Sequence, residues 1–128
     1  MCNEISKIKK GDLVVHKANQ RKDLTVRSIN GNEITCVYFD KKVFKQVTYK
    51  TEELMPSEYN TGNELNPKCN NDVQLKSSGP IMTIIKIDSD EITCVWNDGN
   101  KNCKENFYVY ELEPYECIYD MFACLNNH

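Results

Sequence analysis

The string Glu-Ile-Thr-Cys-Val occurs twice in this chain, at positions 33–37 and again at 91–95, which is a separation of 58 residues. The same separation pairs Pro56 with Pro114, and an upstream offset of 60 aligns Asp12–Val15 with Asp72–Leu75. A fixed internal period is the signature of a tandem structural repeat, in which length changes concentrate at turns. The sequence therefore predicts two copies of one small unit.

Each copy consists of short β-branched and aromatic runs that are separated by turn residues. The runs cover 13–16, 24–29, 33–39 and 43–49 in the first copy, and 73–76, 82–87, 91–97 and 103–109 in the second. Asn30-Gly31 is a strong hairpin signal, Ser77 to Pro80 is strong turn chemistry, and Ala18 to Lys22 is a polar gap. Such runs predict antiparallel strands, so the expected fold class is all-β, with two tandem small SH3-like barrels.

The predicted boundaries follow from the repeat and from local composition. The first SH3-like repeat covers 9–56, a linker covers 57–68, and the second SH3-like repeat covers 69–115. Residues 116–128 are expected to form a short helix or tail.

Strand alternation predicts which side chains of the third strand of each repeat face the core. Thr35 and Val37 are assigned to the face opposite the core. The side chains predicted on the core face are Ile34, Cys36 and Tyr38 in the first repeat and Ile92, Cys94 and Trp96 in the second.

Charge is distributed unevenly between the two repeats. Residues 9–56 carry ten Lys and Arg against six Asp and Glu, whereas residues 57–128 carry five against twelve, within a total net charge of -3. A basic first repeat suits a polyanion, and it equally suits attraction between the two halves within or between chains. The sequence has no basic start followed by an apolar stretch and no run of eighteen apolar residues, so we expect a cytoplasmic protein without a membrane contact.

The sequence contains no recognisable catalytic motif. The seven cysteines are odd in number and include no C-x-x-C pair, so we expect reduced thiols, no metal and no cofactor. The two histidines, His16 and His128, are remote from each other in sequence, and no glycine-rich phosphate loop is present. These observations favour a protein that is not an enzyme.

The second repeat resembles a known family of small bacterial proteins. Its segments Asp72 to Thr83, with the order Leu-Lys-Ser-Ser-Gly-Pro-Ile-Met-Thr, and Ile92 to Trp96 are similar to the pattern of the YodC-like family over residues 70–114. Ser78 and Asn97 depart from that pattern, and the first repeat is a more remote copy in which Tyr38 replaces the tryptophan. The resemblance implies an SH3-like fold and supplies no catalytic residue.

A binding function is therefore the expectation, and aromatic and charged residues near strand ends are its candidates. We predict a non-enzymatic module that binds another protein or itself, since small barrels use aromatic grooves and exposed edges. The alternative is a nucleotide or nucleic-acid binding or sequestering protein that uses the basic first repeat. The candidate ligand-binding residues are Tyr38, Phe39, Lys41, Lys42, Lys45, Tyr49, Trp96 and Asp98.

Overall fold

The computed structural model describes residues 8–60 and 65–115, and it contains two five-stranded antiparallel sheets. The strands of the first sheet are β1 (Leu13–His16), β2 (Asn19–Asn30), β3 (Glu33–Asp40), β4 (Val43–Lys50) and β5 (Leu54–Pro56). Those of the second are β6 (Asp72–Leu75), β7 (Met82–Asp88), β8 (Glu91–Asn97), β9 (Asn102–Tyr108) and β10 (Leu112–Pro114). A single 3-10 turn precedes the last strand of each sheet, at Thr51–Glu53 and Val109–Glu111. The all-β prediction is confirmed, whereas the predicted C-terminal helix at 116–128 lies outside the described residues.

The two sheets have the same strand order, and most of their register repeats after 58 residues. The orders are β4-β3-β2-β1-β5 and β9-β8-β7-β6-β10. Cys36 is opposite Val26 and Val47, and Cys94 is opposite the residues 58 positions beyond each of these. Both sheets also carry an irregularity at the same place in their second strand, after Val26 and after Ile84. The predicted strand repeat is therefore confirmed from the second strand of each sheet onward.

The first strand of each repeat was aligned wrongly by one residue. Val14 lies between Leu24 and Pro56, and the residue with the corresponding two neighbours in the second sheet is Val73. The offset in this strand is therefore 59 rather than 60, and His16 is the counterpart of Leu75. The alignment by shared Asp residues failed because backbone hydrogen bonds set the register, and a slip of one residue moves every side chain to the other face.

The polar gap predicted at Ala18 to Lys22 is also wrong. Strand β2 begins at Asn19, which pairs with His16, so only Lys17 and Ala18 form the turn. The second repeat has six residues between β6 and β7 instead. The β1–β2 turn is shorter than predicted because the polar residues at the exposed start of β2 still form backbone hydrogen bonds with β1.

Two buried clusters form the interior, and the second draws on both sheets. The first cluster contains Ile8, Val14, Leu24, Val26, Ile34, Cys36 and Leu54. The second contains Val73, Leu75, Met82, Ile84, Ile92, Cys94, Trp96, Phe107 and Leu112, together with Val37 from the first sheet. Val37 had been assigned away from the core, but it is fully buried because the second sheet covers that face of β3.

Candidate functional site

An aromatic pocket in the second sheet is occupied by side chains of the first sheet. Phe39 contacts Trp96 edge-to-face at 5.2 Å between ring centroids, and Phe44 contacts Phe107 in the same way at 5.1 Å. The Trp96 Nε1–H donates to the carbonyl oxygen of Lys42 at 2.9 Å, in the turn between the two phenylalanines. We call this arrangement the occupied pocket; its walls include Leu75, Met82, Trp96 and Phe107.

Gly79 allows Phe39 to reach the occupied pocket. Its φ is +139°, and a Cβ atom placed there would lie 2.5 Å from Cδ2 of Phe39. A side chain at this position would therefore collide with the ring, and the backbone conformation also favours glycine.

The first sheet carries the corresponding surface, but nothing in the described residues fills it. The counterparts of Leu75, Met82, Trp96 and Phe107 are His16, Leu24, Tyr38 and Tyr49 by strand register. Together with Asn19 and Lys22, these four residues line a cleft of about 220 Å³, which we call the open cleft. The same structural position is thus plugged in one repeat and accessible in the other.

Polar contacts fix the walls of the open cleft. The rings of His16 and Tyr49 meet edge-to-face at 4.7 Å, and the Nζ of Lys22 lies 4.0 Å from the ring centroid of Tyr38. The Nδ1 atom of His16 accepts the backbone N–H of Ala18 at 2.9 Å, and its Nε2 atom faces Glu53 Oε2 at 3.6 Å. The hydrogen bond from the Lys50 backbone, assisted by His16, lowers the pKa of Glu53. The cleft is therefore preformed, with aromatic walls and a polar rim.

A second cleft, of about 280 Å³, lies between the two repeats and adjoins the first. It is lined by Arg21, Lys22, Asp23, Tyr38, Phe39, Lys76, Ser77 and Ser78, and we call it the polar cleft. Three cations face one carboxylate here. Asp23 accepts a hydrogen bond from the hydroxyl of Ser57 at 2.7 Å. Lys22 and Tyr38 belong to both clefts, so a ligand in one lies against the other.

A buried ion pair holds the two sheets together beside these clefts. Arg27 Nε donates to Glu111 Oε2 at 2.7 Å, its Nη2 donates to Oε1 at 3.0 Å, and the Glu111 side chain is 0% exposed. Partial burial opposes the charged form of Arg27, but the hydrogen bond and charge of Glu111 outweigh it and raise the Arg27 pKa. The Tyr110 hydroxyl also donates to the Arg27 carbonyl, at 2.9 Å. Both walls of the polar cleft are thereby fixed relative to each other.

The structure distributes the predicted site residues over three places. Tyr38 and Tyr49 line the open cleft, whereas Trp96 is only 7% exposed and Phe39 packs against it, so Trp96 is interior rather than a surface contact. The sequence places Trp96 both on the predicted core face and among the candidate ligand-binding residues. Strand alternation alone cannot decide between these roles, because it does not show that a second sheet covers the end of a strand.

The charged candidates lie at turns, except Lys45, which lies in strand β4. Lys41 and Lys42 are exposed in the turn that enters the occupied pocket, and Lys45 forms an exposed ion pair with Asp40 at 3.3 Å. Asp98 accepts the backbone N–H groups of Asn100 and Lys101, which lower its pKa. These contacts give Asp98 a turn-forming role.

Several cleft residues were missed by the sequence interpretation, namely His16, Asn19, Arg21, Lys22, Leu24 and Lys76. The sequence interpretation gives His16 no binding role. The signal that could have identified His16 is that its counterpart in the other repeat is the buried Leu75. That correspondence appears only with the correct offset of 59.

The thiols in the sheets do not suit catalysis. Burial raises the pKa of Cys36 and of Cys94 to about 12, so neither forms a thiolate near neutral pH. Within residues 8–60 and 65–115, no three His, Cys, Asp or Glu side chains lie close enough together to hold a metal ion. Over the same ranges, no helix has the length and apolar character needed to cross a bilayer.

Fold and clefts together define the class of this protein as all-β, with two five-stranded antiparallel sheets and one open aromatic cleft. No protein-family model matches the chain, and no curated protein matches it. Among solved structures, the chain is similar to ADCP1 tandem Agenet domain 3-4, with 8% identity and a TM-score of 0.36 over 88% of this chain and 84% of that one. It is similar also to Arabidopsis thaliana AGDP1 AGD34, with 8% identity and a TM-score of 0.36 over 91% and 92% of the two chains.

Proposed function

We propose that this chain is a non-enzymatic, cytoplasmic binding module of two SH3-like repeats that takes up a segment of another protein in its open cleft. The observation that carries the proposal is internal to the molecule. The counterpart surface in the second repeat binds a protein segment, the turn between Phe39 and Phe44, through edge-to-face aromatic contacts and a hydrogen bond to its backbone. A surface of the same design in the first repeat is suited to a similar occupant.

The walls of the open cleft support this function on energetic grounds. Tyr38 and Tyr49 offer large contact area at low conformational cost, and the side chains around them already hold each other in place. A preformed cleft loses little entropy on binding, so modest contact area can still give measurable affinity. The described residues that line the cleft include no carboxylate pair and no activated nucleophile, which is why we propose binding rather than catalysis.

Blocking the cleft provides the test. Asn19→Trp places a bulky ring in the open cleft from an exposed strand position, and Gln20→Trp places the same ring on the neighbouring exposed residue that does not line it. Peptides would be selected from a random displayed library against the parent protein, and their affinities measured by fluorescence anisotropy. We expect Asn19→Trp to weaken the selected peptides about tenfold or more, with Gln20→Trp within about twofold of the parent.

Circular dichroism would show that both variants remain folded. Selected peptides that bind Asn19→Trp as tightly as the parent would overturn the proposal, as would a library from which no peptide is enriched.

A nucleotide or nucleic-acid ligand is the second candidate, and the polar cleft is the observation that favours it. Arg21, Lys22 and Lys76 line that cleft together with Ser77 and Ser78. A ligand held mainly through phosphates loses affinity steeply as salt rises, whereas a peptide held in an aromatic cleft responds weakly. Titrations of a single-stranded oligonucleotide and of a selected peptide without acidic residues, at about 50 and 200 mM salt, therefore separate the two functions.

A further inference from the structure

We infer that the open cleft and the polar cleft together recognise one feature of a partner protein, an aromatic side chain flanked by acidic residues. This inference rests on the proposed function and gives the chemistry of the segment that the module binds. Its basis is the shared wall of Lys22 and Tyr38, which places the two clefts side by side. A segment that inserts a ring into the open cleft can therefore also contact the polar cleft.

The open cleft suits an aromatic ring. In the occupied pocket, Trp96 and Phe107 make edge-to-face contacts with phenylalanine rings, and the open cleft presents Tyr38 and Tyr49 at the equivalent register positions. Edge-to-face contacts of this kind add to the stabilisation that comes from burial alone. His16 stands where the occupied pocket has a buried leucine, so the floor is more polar but keeps a flat ring.

The polar cleft suits an anion. None of Arg21, Lys22 and Lys76 forms an ion pair with another described residue, although Lys76 interacts at longer range with Glu113. The one carboxylate in the cleft, Asp23, already accepts a hydrogen bond from Ser57. Three cations that form no ion pair with a described carboxylate are complementary to carboxylate or phosphoryl oxygens, with Arg21 able to bind either in bidentate fashion.

In a second copy of this chain, the described turn that matches the one in the occupied pocket does not supply that feature. The residues that correspond to Phe39 and Phe44 on the second sheet are Asn97 and Asn102, and both are exposed. The turn between them, which corresponds to the turn that fills the occupied pocket, therefore has no ring to insert. The occupant that we propose is therefore a segment of a different protein.

Synthetic peptides with one phenylalanine between two pairs of glutamates test this inference by fluorescence anisotropy. Matched peptides carry glutamine in place of glutamate, alanine in place of phenylalanine, or phosphoserine in place of glutamate. We expect the glutamate peptide to bind about tenfold more tightly than either the glutamine or the alanine peptide. Binding that is tighter with phosphoserine than with glutamate would identify phosphoryl as the anion, and equal binding would identify carboxylate.

Two charge variants locate the effect. Arg21→Gln with Lys76→Gln removes two cations of the polar cleft, and Lys17→Gln with Lys68→Gln removes two exposed cations that line neither cleft. The first pair is expected to abolish the preference for glutamate over glutamine, and the second to leave most of it.

The outcomes separate this inference from the proposed function. Equal binding of the glutamate and glutamine peptides, with both weakened by Asn19→Trp, would overturn the acidic preference and leave the peptide-binding function standing. Failure of the glutamate peptide to bind at about 1 mM, while library peptides do bind, would likewise overturn only the inference. An oligonucleotide that binds more tightly than every peptide would overturn both.

Discussion

Glu53 and Glu111 occupy the same position in the two repeats, but they have different roles. Each accepts a hydrogen bond from a backbone N–H three residues earlier, from Lys50 at 2.8 Å and from Tyr108 at 2.9 Å. Glu53 is 43% exposed beside His16, whereas Glu111 is 0% exposed beside Arg27. The 58-residue repeat places both glutamates at the same position, but the burial of Glu111 comes from the other sheet, which local sequence does not describe.

Removal of the Arg27 side chain should therefore be costly. Arg27→Met leaves the Glu111 carboxylate buried without its partner, and we expect a loss of about 3–5 kcal/mol in the free energy of unfolding. His16→Leu, which removes the corresponding exposed pair, should change it by about 1 kcal/mol or less. Urea unfolding followed by circular dichroism measures both.

The double variant Arg27→Met with Glu111→Gln provides the control. It should recover much of the lost stability, because no buried charge remains. A single Arg27→Met variant as stable as the parent would show that Glu111 is solvated or paired elsewhere.

At the scale of strands, the sequence predicted most elements to within one or two residues. The strands from 33 and from 91 were located well because β-branched runs and Asn-Gly or Asp-Gly turns are local signals. The register of β1 was missed because it depends on hydrogen bonds to β2 and β5, which carry no local signature. For the same reason, the extension of β2 back to Asn19 was not predicted.

The turn between β6 and β7 offers a direct test of how the two sheets pack. Gly79→Ala should destabilise the protein because its new Cβ would meet the ring of Phe39 at 2.5 Å, in addition to the cost of a positive φ. Gly99→Ala is the matched control, since Gly99 also has a positive φ but no atom lies within 4 Å of its Cβ position. We expect Gly79→Ala to cost about 1–3 kcal/mol more than Gly99→Ala in thermal or urea unfolding.

Equal losses for the two alanine variants would mean that Phe39 moves freely, and the occupied pocket would then be loosely packed.

At the scale of the whole molecule, the two sheets share the second of the two buried clusters. Val37 and Phe39 belong to the first repeat by sequence, yet they pack into the core of the second. The candidate site was predicted in part for the same reason: Tyr38 and Tyr49 were found as strand-end aromatics, but the polar cleft exists only where the repeats meet. Sequence patterns describe each repeat and not the contact between them.

The shared cluster predicts that the chain unfolds in one step. Trp96 fluorescence reports on the second repeat, and far-ultraviolet circular dichroism reports on both, so their urea transitions should coincide. Phe39→Ala should move both transitions together to lower urea, although the substitution is in the first repeat. We expect the free energy of unfolding to fall by about 3 kcal/mol or more. Two separate transitions would show that the repeats are independent units.

Asn97 and Asn102 have a consequence for growth of an assembly. The contact between the repeats joins two different surfaces, a turn of the first sheet and the occupied pocket of the second. When a contact between two different surfaces forms between chains, it produces either a filament that keeps growing or a closed ring. Phenylalanine at both positions would provide a plug for the open cleft of a neighbouring chain, so Asn97→Phe with Asn102→Phe should form species that grow with concentration in sedimentation velocity. Adding Asn19→Trp should reverse this growth, and a variant that sediments like the parent would contradict it. With asparagine at both positions, the exposed end of the second repeat is polar, and we expect the series of packed repeats to end there.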